Sequence, residues 1–419
     1  MEQKSTHEKS TVQGETALER LEHEISKGDS ISVVRIIDAL LEEANYRAAS
    51  DIHIDPTRNE LRVRIRVDGV LIDLTAFPKN IHLEIISRIK ILSGLRTDEH
   101  QAPQDGRFRH TLEDGRFVDV RVSIAPTYHG ETTVLRLLAN HGEDFALSTL
   151  GFSVTDLEKI KLALTKPSGM ILSTGPTGSG KTTTLYTLIK MLNSPQVSIV
   201  TIEDPIEYSI DNIEQIQVNP RTGLTFATGL RSILRQDPDI IMVGEIRDGE
   251  TASIAVNTAL TGHLLLSTLH TSDSATTLPR LCDMGIDPYL VASTITLAIG
   301  QRLVRKICVT CKEETALTAS EAKALSRLPL KHPLKEGEVV ARGKGCSECA
   351  ETGYSGRISI NEVLVADALV KDAILRTASS SEIRAIAIQN GMTSMLEDGF
   401  CKVRAKITTS EEILRVIHE

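Results

Sequence analysis

Residues 170–192 read MILSTGPTGSGKTTTLYTLIKML, and this order decides the fold class. A short apolar run ends at Thr174, a glycine-rich turn follows, and apolar residues then recur at three- and four-residue spacing, as in a helix packed on one side. The turn, Gly175-Pro176-Thr177-Gly178-Ser179-Gly180-Lys181-Thr182, fits G-x4-G-K-[ST] and has the strand before it and the helix after it that the motif requires. Its glycines let backbone N–H groups point inward at a β-phosphate, and the helix N-terminus adds partial positive charge. Lys181 is expected to reach the β- and γ-phosphates of ATP and Thr182 to offer its hydroxyl to Mg2+, with Thr183 closing the binding run.

Beyond this cradle the apolar runs MILSTG, VSIVTIED, IIMVGE and LLLSTLH alternate with longer helical stretches. That alternation predicts an α/β domain with a parallel sheet covered by helices. Two strand ends supply acids: Glu203, Asp204 and Glu207 after the second run, Glu245 after the third. P-loop enzymes place an acid there to hold Mg2+ and a carboxylate to position water. Position 244 is Gly where an Asp is usual, so Mg2+ falls to Glu203 or Asp204, and Glu245 is left to orient or activate water. His270 ends the fourth strand, where open α/β sheets bind ligands, and is expected to sense or bond the γ-phosphate. His263 precedes that strand and reads equally well as a packed residue.

Upstream, residues 1–30 are polar and read as a flexible tail or frayed helix. From 31 to 140 helical and alternating segments predict an α+β domain, with 141–150 as a linker. In LRVRIRVDG, Arg62, Arg64 and Arg66 recur at period two and so share a strand face. The plain reading is a solvated face with acidic neighbours; the sharper one is an arginine offered to a nucleotide across a subunit boundary. Arg121, Arg136, Arg231 and Arg235 are further candidates.

The chain has 419 residues and 41% apolar content, enough for several domains. A net charge of −9, no Trp and 3% aromatic residues count against a base-stacking nucleic-acid grip, so no direct nucleic-acid partner is expected. No apolar stretch reaches membrane-span length and the N-terminus is too polar for a signal peptide, which places the chain in the cytoplasm. Four of six cysteines form Cys308-x2-Cys311 and Cys346-x2-Cys349, a set suited to closed, structural Zn2+, with an iron–sulfur cluster as the main competitor. Cys282 and Cys401 read as small apolar residues. The ATPase domain is expected over 151–306, a zinc subdomain over 307–365 and a helical subdomain over 366–419.

SDIHIDP (50–56), RIRVDG (64–69), PQDGRF (103–108), the P-loop, TIEDPIE (201–207), LRQDPDIIMVGEIRD (234–248), TGHLLLSTLHT (261–271) and QRLVRKIC (301–308) together resemble the ATPases of type II secretion and type IV pilus assembly. The resemblance covers about 30 to 419 and explains the missing Asp, because that family's Walker B also ends in Gly-Glu. It implies a RecA-like P-loop domain behind a PAS-like N-terminal domain, and a cytoplasmic homo-hexamer at the inner face of the membrane. It also implies Arg64 and Arg66 as phosphate contacts, with Lys79 at a further basic position. The implied partner is an inner-membrane polytopic platform protein, with a membrane-bound recruiting protein left open because only about 30 polar residues precede the similar region. The tetracysteine set favours assembly motors over retraction motors, which remain the alternative. A nucleic-acid motor and a non-hydrolysing nucleotide-gated scaffold are the rivals outside the family.

Overall fold

The computed structural model describes residues 16–27, 30–139 and 146–418, in two compact units divided at His141 and Gly142. The expected tail up to residue 15 and the expected linker from 140 to 145 lie outside the described residues.

The first unit runs α1 (Ala17–Ser26), α2 (Val33–Tyr46), β1 (Ala49–Pro56), β2 (Glu60–Val67), β3 (Val70–Pro78), α3 (His82–Leu92), β4 (Gln104–Thr111), β5 (Phe117–Thr127) and β6 (Gly130–Ala139). Its strands form one antiparallel sheet in the order β3-β2-β1-β6-β5-β4. Alternation sorts the two faces: Ile52, Ile54, Val63, Ile65, Val122 and Leu135 are buried with Ile36 and Leu40 of α2 and Ile85 and Ile89 of α3. Asp68 and Gly69 turn the β2–β3 hairpin, both with positive φ (49° and 86°), as its two-residue loop demands. Of the tail or frayed helix expected over 1–30, residues 17–26 form a helix. Thr16 and Glu19 form a capping box, Leu21 is fully buried in the sheet-and-helix core and Ile25 packs against the same core, so one apolar stripe ties down the helix.

The second unit begins with α4 (Val154–Leu164), β7 (Gly169–Thr174), α5 (Lys181–Leu192), β8 (Ile199–Glu203), β9 (Glu214–Gln217), α6 (Phe226–Ile233), β10 (Ile240–Val243), α7 (Gly249–Leu260) and β11 (Leu264–Leu269). It continues with α8 (Ser274–Asp283), α9 (Pro288–Thr294), β12 (Ile295–Ile307), β13 (Lys312–Ala316), α10 (Ala319–Leu325), β14 (Val339–Gly343) and β15 (Tyr354–Val365), and ends in α11 (Ala368–Leu375), α12 (Ser380–Gln389), α13 (Met395–Arg404) and α14 (Ser410–His418). The main sheet has the order β15-β12-β7-β11-β10-β8-β9, parallel throughout except for β15. Every residue of β7, β8, β10 and β11 is buried, because helices cover both sheet faces, and continuous apolar runs result. The α/β class holds.

One strand is placed differently. β12 ends at Ile307, next to the expected limit at 306, but β15, expected in the zinc subdomain, is the edge strand of the ATPase sheet. The end of the expected linker is also built in: Leu147 and Leu150 are buried beside α5 and β7.

Candidate nucleotide site

The turn between β7 and α5 owes its shape to three glycines with positive φ: Gly175 at 144°, Gly178 at 77° and Gly180 at 89°. A Cβ on Gly175 would lie 2.3 Å from the carbonyl oxygen of Gln301, so the loop is seated directly on β12. Gln301 is itself buried and its Oε1 accepts a hydrogen bond of 2.8 Å from Thr184 of α5. Ser179 Oγ is buried inside the curl with no hydrogen-bond partner among the described residues. Curled backbone, helix start and orphaned hydroxyl fit a phosphate group.

Lys181 is buried, and its Nζ donates to the carbonyls of Gly175 (2.8 Å) and Pro176 (2.9 Å). Burial pushes its pKa below that of an ordinary lysine, with the Glu245 carboxylate pulling the other way. The P-loop lysine and the Walker B glutamate therefore share one electrostatic site. Glu245 follows β10 and His270 follows β11, its parallel neighbour, so both side chains rise at the same sheet edge. His270 Nε2 is 3.0 Å from Glu245 Oε2, and Arg247 is 2.6 Å from Glu245 Oε1. Gly244 has a spatial reason as well: a Cβ there would lie 3.3 Å from Glu203 Cα and from the Ile202 carbonyl, so an Asp would crowd β8.

Glu203, one of the two acids expected to hold magnesium, is hydrogen-bonded within the protein. It is 2% exposed; Tyr186 donates to its Oε2, while Thr201 (2.6 Å) and Gln215 (3.3 Å) donate to its Oε1. The cause is that Glu203 is the last residue of β8 and shares its pocket with Tyr186 of α5, whose hydroxyl pKa is raised by burial and by that carboxylate. Asp204 is the exposed acid at this strand end, close enough to Arg247 to raise its pKa slightly alongside Glu245. Thr182 and Thr183, on the first turn of α5, remain partly exposed. His263 lies at the opposite end of β11, where its Nδ1 is 3.2 Å from the Thr258 carbonyl, a packing role.

The arginine stripe is on the outer face of the first unit, and each member has an acidic partner. Arg62 bonds Asp73 through two nitrogens, Arg64 bonds Asp55 at 2.6 Å, and Arg66 lies 3.6 Å from Asp51. Lys79 donates to the carbonyls of Thr57 and His129. Arg231 meets Glu250 at 2.8 Å, and Arg235 donates to the Arg231 carbonyl.

Cys308, Cys311, Cys346 and Cys349 converge so that their sulfurs all lie within 4.8 Å of one another. Three separations are 3.9, 3.8 and 3.7 Å; a tetrahedron with Zn–S of about 2.3 Å has edges of about 3.8 Å. Backbone N–H groups of Cys346 and Gly353 point at Cys349 Sγ, as sulfurs carrying negative charge require. The set fits zinc. Cys282 is half-buried and Cys401 exposed, so the expectation of an apolar packing role fails for Cys401.

A profile of the family described as type II/IV secretion system protein matches residues 26–415. The chain belongs to that family. Type II secretion system protein E of Xanthomonas campestris pv. campestris is 46% identical over 92% of this chain and 68% of its own length. The type IV pilus assembly ATPase PilB of Thermus thermophilus is 43% identical over 97% of this chain, which spans 46% of that longer protein. Among solved structures, the Legionella pneumophila ATPase DotB superposes with a TM-score of 0.66 at 25% identity, over 91% of this chain and 95% of its own. The pilus retraction motor PilT with bound ADP shares the fold, with a TM-score of 0.60 at 24% identity. This secretion-family chain is therefore an ATPase that uses a nucleotide with Mg2+. The sequence motifs found Lys181, Glu245 and His270, but assigned no role to Arg247, Tyr186 or Gln301. Their charge, aromaticity and polarity carry no positional signal; only the packing of α5, the β10 end and β12 places them at the site.

Among the described residues, no helix is long and apolar enough to cross a membrane.

Proposed function

We propose that this ATPase powers assembly of a type IV pilus or a type II secretion pseudopilus. In this reading it is a cytoplasmic homo-hexamer, peripheral at the inner face of the membrane, and its domain movements drive an inner-membrane platform protein. The supporting observation is Glu245, held at one oxygen by His270 and at the other by Arg247, beside the buried Lys181. A protein that only binds nucleotide has no need of an oriented carboxylate there.

Lys181 would balance charge on the β- and γ-phosphates, and Glu245 would orient the water that attacks the γ-phosphorus while ADP leaves. Thr182 is kept as a magnesium contact, with Asp204 in place of Glu203 as the acid at the β8 end; Mg2+ supplies charge neutralisation on the phosphate oxygens. Glu203 instead ties α5 to β8 through Tyr186. Arg64 and Arg66 are assigned to phosphate contact with a nucleotide held by the protein's own or a neighbouring ATPase unit. The four cysteines hold a structural zinc. Relatives 43–46% identical are named for type II secretion or pilus assembly, which supports assembly over retraction.

The test is ATPase activity against protein concentration, with mass by light scattering, for the wild type and Arg64→Ala. Activity should rise as hexamers form and collapse in the variant while nucleotide still binds, at somewhat lower affinity. A fully active monomer indifferent to Arg64 would overturn the assembly reading.

A further inference from the structure

The outer face of the N-terminal sheet is organised by carboxylates as much as by arginines. Strand register sets Asp51 of β1 directly between Arg66 of β2 and Arg136 of β6. Its Oδ2 lies 3.6 Å from Arg66 Nε, and its Oδ1 accepts a hydrogen bond of 2.9 Å from Arg136 Nε. The side chain of Asp51 is 8% exposed, against 35% and 58% for its two arginines. Asp55, on the same face, accepts from Arg64 through Nε at 3.2 Å and a terminal nitrogen at 2.6 Å. Asp51 thus sits beneath its arginines, while Asp55 lies level with Arg64, at 28% against 29% exposure.

Asp55 occupies Arg64 donors that a phosphate oxygen would otherwise take, whereas Asp51, 3.6 Å from Arg66, acts on it through charge alone. Each leaves a negative charge within a few ångströms of any phosphate that docks on those arginines. We infer that Asp51 and Asp55 act as internal counter-ions that weaken the grip of Arg66 and Arg64 on nucleotide phosphate, so that the contact releases at each turnover. The inference rests on the reading, proposed above, that these arginines meet a nucleotide. Asp51 and Asp55 are positioning residues, since they act through the arginines and not on the substrate.

The sign separates this role from a merely structural one. If the aspartates only hold the sheet together, removing their charge leaves neighbouring arginines to repel and splay, and nucleotide binding weakens or stays the same. If they compete with phosphate, binding tightens, by roughly three- to tenfold for one charge removed at a partly exposed site, and becomes more sensitive to salt.

The experiment titrates full-length protein, at concentrations where it is assembled, with ADP and with a non-hydrolysable ATP analogue, for wild type, Asp51→Asn, Asp55→Asn and Arg66→Ala. Thermal melts establish that each variant is folded. Tighter, more salt-sensitive binding in the two Asn variants, with weaker binding in Arg66→Ala, is the expected result. Unchanged or weaker binding in folded Asn variants, alongside a weakened Arg66→Ala, overturns the counter-ion role alone. Should Arg66→Ala bind as the wild type does, the phosphate-contact reading fails, and this inference with it. Asp55, 28% exposed, carries the same expectation if Asp51→Asn does not fold.

Discussion

His270 Nε2 stands 3.0 Å from Glu245 Oε2, across the ends of two adjacent parallel strands. With Arg247 at the other oxygen, the carboxylate has one orientation rather than several. Fixed orientation is what positioning a water requires, since most of the benefit of a catalytic group lies in its placement before reaction.

Replacing Glu245 with Gln should lower kcat by about 100-fold or more while leaving nucleotide affinity within about threefold of wild type. His270→Ala should cost less, about tenfold, because Arg247 still restrains the carboxylate. Steady-state kinetics and equilibrium nucleotide binding on the same preparations check both; an unaltered kcat in Glu245→Gln would remove Glu245 from the chemistry.

Gly175→Ala should abolish nucleotide binding with a folded second unit. Its φ of 144° is unfavourable to a side chain, and the added carbon would lie 2.3 Å from the Gln301 backbone oxygen, which cannot step aside within β12. Nucleotide titration with circular dichroism on the variant decides it; normal binding would mean that the loop does not need its seat on β12.

Glu412, 1% exposed, joins Arg305 of β12 to Arg415 of α14. Burial alone would raise its pKa, but hydrogen bonds from Arg415 and Arg305 outweigh it and hold the group down at about 2, against an ordinary 4.5. A depressed folded-state pKa stabilises the protein above the unfolded-state value and ceases to do so as pH falls from 4.5 towards 2. Glu412→Gln should therefore cost about 2–3 kcal/mol at neutral pH, by leaving Arg305 without its charge partner. Melting temperatures between pH 5 and 3 should fall less steeply in the variant than in the wild type, and parallel slopes would contradict the assignment.

Metal analysis of protein purified without chelator should find one zinc per chain. Cys308→Ser, or chelation, should lower the melting temperature by several degrees, because the knuckle closes β12 onto the loop before β15. Iron in the purified protein, or no metal, would reject a zinc site.

Much of the site was legible because its chemistry is local. The P-loop needs glycines and a lysine at fixed spacing, and Walker B and the histidine each end an apolar run, so linear order carries the information. The same order did not show that Glu203, at a strand end, pairs with Tyr186 of α5. Residues 17–26, read as a tail or frayed helix, carry Leu18, Leu21 and Ile25 at three- and four-residue spacing, and only the fold shows that a core receives Leu21 and Ile25.

By itself the sequence determined the α/β class, the glycine-rich turn with its lysine, the glutamate that follows the third strand and the cysteine quartet, because spacing within a strand, turn or helix enforces each of them. Tertiary structure decided what depends on neighbours distant in the chain. It made β12 and β15 part of the ATPase sheet, set Gln301 beneath the P-loop, gave Glu245 its two partners, and slid Asp51 between Arg66 and Arg136. Strand pairing and register fix those contacts, and register is set by burial of whole faces, which no single segment encodes.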